Sequence, residues 1–128
     1  MGFDALVGAG MAACRPRLVG VQPEACAPVI SAWHEQPFEG SLGSSLAEGT
    51  MVENPARKAE ILTYLDRGKD QLVSITESEI AAAHRSLIEA GLYVEPTSAM
   101  AFAASHKVEE TPGKSVLIMS GSGLKSNK

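Results

Sequence analysis

The segment "QLVSITESEIAAAHRSLIEAGLYVEPTSAMAFAA", residues 71–104, decides the fold of this chain. It opens on a short apolar run, Gln71 to Ile75, of strand length. Thr76 and Glu79 then form the Thr-x-x-Glu pattern of a capping box, in which each side chain satisfies a backbone N–H of the other residue. The helix they open keeps Ile80, Ala83, Leu87 and Ile88 at helical spacing, and Gly91 marks its end. Leu92 to Pro96 is brief and extended, because a proline disfavours the helical conformation of the residue before it, here Glu95. Thr97 or Ser98 is then placed to cap "AMAFAASH", whose Ala99, Phe102, Ala103 and His106 share a face.

The same alternation continues outward. Upstream, "FDALVGAGMAA" (3–13) reads as a short helix with small residues for close packing, and "RLVGVQ" (17–22) as a buried strand. "ACAPVISAWHEQ" (25–36) reads as a helix with Pro28 in its first turn, and "PFEGSLGSSLAEGT" (37–50) as an irregular loop. Asn54-Pro55 is a helix start that runs through "ARKAEILTYLDR" to Gly68. Downstream, "EETPGK" (109–114) is a polar turn, and "SVLIMSGSGLK" (115–125) begins as an apolar strand and breaks at Ser120-Gly121. Helix and strand alternate, which is the pattern of an α/β domain. The expected architecture is three layers: a mostly parallel sheet of strands 17–22, 71–75 and 115–120 flanked by helices. So few parallel strands leave long apolar edges, which proteins normally cover. The chain is therefore expected to be part of something larger or to pair with a partner, as in a homo-oligomer.

Composition narrows the function. At 128 residues the chain is long enough for one core, with 45% hydrophobic and 20% charged residues. No apolar run reaches the roughly 18 residues of a membrane span, and "MGFDALVGAGMAACRPR" lacks the pattern of a secretory leader. A net charge of −4 without a basic cluster argues against nucleic acid. Cys14 and Cys26 have no metal-type or redox spacing and read as two buried, reduced thiols of a cytoplasmic protein. No metal site is expected.

Several motifs compete for the chemistry. "SGSGLKS" offers glycines and a Lys-Ser pair, but its spacing is not that of a phosphate-binding Walker loop, and no helix follows it before Lys128. "VGAGMAA" (7–13) follows no strand, so it is no dinucleotide fingerprint. His34, His84 and His106 could serve a serine nucleophile, but there is no elbow motif. "VEPTSA" (94–99) is either a simple strand-to-helix joint or a ligand site that sets Glu95 and a helix N-terminus at the carboxyl end of a strand, where open parallel sheets bind ligands. "SSLAEGT" (44–50) is either a surface loop or a pocket wall bearing Glu48.

Four stretches in order, "LVGVQPEACAPVISAW", "SLAEGT…NPARKAEIL", "LVSITESEIAAAHRSLIEAGLYVEPTSAMAFAA" and "VLIMSGSGLK", resemble the C-terminal part of threonine synthase. More broadly they resemble the tryptophan-synthase-β-like, fold type II class of pyridoxal-phosphate enzymes. The likeness covers nearly the whole chain, and its ending "SGSGLK" stands where threonine synthases often carry "TGxGLK". The resemblance implies pyridoxal phosphate as cofactor, a small amino-acid substrate and a partial large, cofactor-binding domain. It implies that Ser120 faces the pyridine nitrogen, that Glu95 to Ala99 approach the ring and that Ala47, Glu48 and Gly49 border the site. A neutral hydroxyl beside the ring nitrogen does not force its protonation, which suits β-elimination and replacement.

The resemblance also implies parts that this sequence does not show: a Schiff-base lysine in a Ser/Asn-rich motif and a Gly-rich phosphate loop. Such a lysine needs burial or a neighbouring cation to lower its pKa. Lys58, Lys69, Lys107, Lys114, Lys125 and Lys128 all stand in polar surroundings. The chain thus reads as a C-terminal fragment with no catalytic residue of its own. Its parent would convert O-phosphohomoserine and water to threonine and phosphate. The alternatives are a threonine dehydratase, serine racemase or cysteine-synthase-like parent, or a non-enzymatic α/β interaction module.

Overall fold

The computed structural model describes residues 2–108 and 113–125. Helix α1 spans Gly2–Gly8, strand β1 Val19–Pro23, helix α2 Pro28–Trp33, a 3-10 turn Glu48–Thr50 and helix α3 Lys58–Tyr64. Strand β2 (Gln71–Ile75), helix α4 (Glu77–Glu89), helix α5 (Pro96–Ser105) and a 3-10 turn Gly123–Lys125 follow. The fold is α/β: β1 and β2 pair in parallel, Val19 opposite Gln71 through Pro23 opposite Ile75, and helices flank them.

The core is centred on the α4–α5 pair. The capping box forms as expected: Glu79 N–H donates to Thr76 Oγ1 at 3.2 Å, and Thr76 N–H donates to Glu79 Oε2 at 2.8 Å. Ile80, Ala83 and Leu87 point inward, while Ile88 is exposed. Gly91, at φ 81°, takes the left-handed conformation that lets the chain turn back. Helix α5 then runs antiparallel to α4, since Lys107, just past its end, pairs with Glu79 at 2.9 Å. Ala99, Met100, Ala103 and Ala104 close onto Ile75, Ile80, Ala83 and Leu87. His84 Nε2–H donates to the Val94 carbonyl at 2.8 Å and so ties the joint to α4. His106 caps the C-terminus of α5 and meets the Phe102 ring edge-on at 4.9 Å, and His34 is exposed at the end of α2. No two of the three imidazoles share a site in these contacts.

Several expectations are corrected. Residues 115–120 do not form a strand: they join no sheet, and Val116 and Ile118 are 85% and 78% exposed. Among the described residues the sheet therefore has two strands instead of three. β1 and β2 each keep one open edge, and the stretch pairs with neither. Both real strands are only half-buried, apart from the exposed Val19 and the buried Pro23 and Ile75. The first helix stops at Gly8, where Met11 and Ala12 N–H groups fold back on the Leu6 carbonyl at 2.8 and 3.2 Å, and it buries nothing. The helix expected from Asn54-Pro55 begins only at Lys58, after a turn closed by Lys58 N–H on the Pro55 carbonyl. It ends early because the Asp70 carboxylate takes the Asp66 N–H at 2.9 Å and draws the chain out of the helix. Of the two thiols only Cys26 is buried; Cys14 is exposed, and both are free. Among the described residues no helix is long and apolar enough to cross a membrane. Most of the expected turn at 109–114 lies outside the described residues, as does Lys128.

Candidate active-site corner

The corner is built where α5 begins. Pro96 occupies the first helical position, for which its fixed φ and missing N–H suit it, so Glu95 becomes the N-cap. Thr97 and Ser98 are therefore inside the first turn, and neither is the cap. Ser98 is nonetheless the residue that organises the corner. It is 2% exposed, and its Oγ accepts the Gly121 N–H at 2.8 Å. From the other side Glu95 N–H donates to the Gly121 carbonyl at 3.2 Å. Val94 and Ser122 form an antiparallel bridge, and Gly123 N–H donates to the Tyr93 carbonyl at 3.1 Å. The C-terminal segment is thus clamped at 121–123, even though 115–120 has no sheet to join.

A Cβ on Gly121 would meet the Glu95 side chain, which would have to swing aside. Glu95 is half-buried there, and Ser120, one residue before the clamp, is exposed. The structure therefore brings Glu95 and the Ser120-Gly121 pair to one place.

The 45–50 loop approaches the same helix end. Ala47 is fully buried in the core, and its N–H donates to Ser45 Oγ at 3.0 Å. Its carbonyl takes both the Thr50 N–H at 2.9 Å and the Thr50 hydroxyl at 2.8 Å. Leu46 N–H donates to Glu77 Oε2 at 2.8 Å, which fixes the loop to the start of α4, beyond the carboxyl end of β2. Gly49 lies beside Thr97, with room for a Cβ only 3.4 Å from Oγ1. Glu48 and Gly49 are exposed. Of the expected trio, Ala47 is a core residue that holds the loop, and Glu48 and Gly49 form its open rim. Sequence reasoning missed Ser98 as the clamp; its only signal was a serine at the third position after Glu95, embedded in small apolar residues.

Behind the corner, the Lys107 ammonium beside Glu79 and the Thr76 N–H hold the Glu79 carboxyl below its ordinary value, outweighing its partial burial. This charge pair staples the two ends of the helix hairpin that carries the site.

A family model described as "Pyridoxal-phosphate dependent enzyme" matches residues 2–121. The chain belongs to this family. No curated protein matches it. As a member of a pyridoxal-phosphate family, the chain can be tested for how much of the cofactor its residues suit. The corner offers an exposed Ser120 hydroxyl next to the clamp and the half-buried Glu95 carboxylate. The lysines with described side chains do not fit the covalent role. Lys107 is committed to Glu79 and to the Ser74 carbonyl at 3.1 Å, and Lys69 to the Arg15 carbonyl at 2.5 Å. Lys58 is half-buried at the start of α3, and Lys114 is exposed. None of these four described lysines is buried.

Proposed function

We propose that this chain is the C-terminal, ring-nitrogen side of a fold type II pyridoxal-phosphate active site, from an enzyme of the threonine-synthase kind. The observation that carries the reading is the clamp: Ser98 and Glu95 grip the backbone of Gly121 and hold Ser120 at the N-terminal end of α5. In this reading the Ser120 hydroxyl hydrogen-bonds the ring nitrogen, Glu95 lines the ring, and the Ala47-Glu48-Gly49 loop borders the substrate space. Pyridoxal phosphate, when bound, supplies the electron sink for β-elimination and replacement at an amino acid. The residues of this chain orient the ring and leave its nitrogen without a carboxylate partner. The parent reaction is conversion of O-phosphohomoserine and water to threonine and phosphate, by an oligomeric cytoplasmic enzyme. A dehydratase, racemase or cysteine-synthase-like parent would use the same corner, so substrate choice rests on the "GLYVEPTSA" and "GLK" resemblance.

The surface supports a missing companion segment. The chain exposes 8535 Å², against about 6,500 Å² for a compact monomer of its mass. The exposed large hydrophobics include Phe3, Met11, Val116, Ile118 and Leu124. In this reading the cofactor-bearing lysine and the phosphate loop belong to that companion.

The test is to add pyridoxal phosphate to the chain, reduce with borohydride and map adducts by mass spectrometry. Scattered substoichiometric labelling is expected. A stoichiometric adduct at one lysine would overturn the division of the site. The genomic sequence upstream should encode a Gly-rich loop and a buried-lysine motif, and an unrelated upstream sequence would remove the parentage. With the companion segment added, turnover of O-phosphohomoserine is expected over serine, threonine and O-acetylserine. Preference for one of the latter three would replace the threonine-synthase assignment.

A further inference from the structure

At the opposite end of the sheet, where β1 and β2 begin, an open cleft of about 440 Å³ is lined by Arg17, Arg67, Gly68, Lys69, Asp70 and Gln71. Three of the six are cations in a chain whose net charge is −4. The single acid in the lining is already committed. Asp70, with no exposed side-chain surface, accepts Arg15 Nη2–H at 2.6 Å, Leu18 N–H at 2.8 Å and Asp66 N–H at 2.9 Å. Arg67 lies over the Trp33 ring at 4.4 Å and meets Glu35 at 3.7 Å, a pair exposed on both sides and therefore weak.

Arg17 is the unusual member. Its Nη2–H donates to Gln71 Oε1 at 2.5 Å, but its Nε–H is buried and has no acceptor among the described residues. A buried donor without a partner is costly, and a guanidinium donor more so. The Nε and Nη2 hydrogens lie along one edge of the guanidinium, the fork that carboxylates and phosphates take with two oxygens. A single amide oxygen from Gln71 fills half of it.

We propose that this cleft binds a small phosphate-bearing anion, which displaces the Gln71 amide and takes both hydrogens of the Arg17 fork, with Arg67 and Lys69 as flanking charges. The site lies at the amino ends of the strands, away from the Glu95–Gly121 corner, so it is separate from the proposed cofactor edge.

The test is calorimetric titration of the chain with inorganic phosphate, with chloride holding ionic strength constant. Saturable one-to-one binding is expected. Arg17→Gln should weaken it by about tenfold or more, as loss of a charge-assisted pair does. Arg17→Lys keeps the charge without the fork and should weaken it nearly as much. Gln71→Ala frees the fork and should bind at least as tightly as the wild type. Gln71→Glu puts the chain's own carboxylate on Arg17 and should abolish binding. Circular dichroism would confirm that each variant is folded. Absence of saturable binding to the wild type would overturn the proposal. So would wild-type affinity in folded Arg17→Gln or Gln71→Glu, which would mark the heat as a general salt effect. Wild-type affinity in Arg17→Lys alone would overturn the fork.

Discussion

The α4–α5 hairpin and the stretch from Ser115 to Ser120 are both rich in aliphatic residues, yet one is sealed and the other bare. In the hairpin Ile80, Leu87, Ala99 and Met100 are at most 3% exposed. In the stretch Val116 and Ile118 are 85% and 78% exposed, although Met119 still packs against the core. The difference lies in where each finds its hydrogen-bond partners. A helix satisfies its backbone within itself and then needs only a face to bury. A strand satisfies nothing alone. The stretch pairs with neither open edge of the β1–β2 sheet, and the clamp at Gly121 holds its C-terminal end.

That contrast can be broken or sharpened by substitution. The largest effect is expected at Ile80: Ile80→Ala should cost about 2–5 kcal/mol by leaving a cavity in the sealed hairpin, read from denaturant unfolding of the chain. A loss below about 1 kcal/mol would mean the hairpin is not the core. Next is Asp70→Ala, which leaves Arg15 and two backbone N–H groups without their acceptor and should cost about 3 kcal/mol. Burial pushes the Asp70 carboxyl up, but hydrogen bonds from Asp66, Leu18 and Arg15 together hold it below its ordinary value of 3.8. Its stabilisation is therefore complete above 3.8 and lost as pH falls through the lower folded value. The stability gap between wild type and Asp70→Asn should narrow with acid below 3.8, and a gap independent of pH there would contradict the ionised pair.

A smaller effect is expected at the junction of the two regions. Ser98→Ala removes the acceptor of Gly121 N–H and should cost about 1–2 kcal/mol. Its specific signature is faster amide hydrogen exchange at Gly121 and Gly123 with little change in α4; unchanged exchange there would show that Ser98 does not clamp the segment. The smallest effect is expected at Ile118→Ser, which should shift the stability of the isolated chain by less than about 0.5 kcal/mol. If the companion segment pairs with 115–120, the same substitution should weaken the assembled enzyme markedly, and no change in either state would remove the segment from the interface.

How much was legible follows the same line. The capping box at Thr76 and Glu79, the stop at Gly91 and the stripe Ile80-Ala83-Leu87 are written within a few residues of each other, and the structure shows each. Glu95 was legible as a site candidate from the VEPTSA joint, but its meeting with the Ser120-Gly121 pair was suggested only through resemblance, because nothing local connects residues so far apart in sequence. The clamp role of Ser98, the cap that Gln22 Oε1 provides to the Val29 and Ile30 N–H groups of α2, and the early end of α3 at Asp70 were not legible. Each depends on a side chain meeting a backbone group from another element.

The sequence by itself therefore determined the α/β class and helices α4 and α5, because periodicity and capping are local properties of the chain. Only the tertiary structure decided that the sheet stops at two strands, that Ala47 is core while Glu48 and Gly49 are rim, and that Ser98 grips Gly121. Those outcomes depend on which edge, acceptor or cavity lies within reach once the chain has folded, and no stretch of sequence carries that by itself.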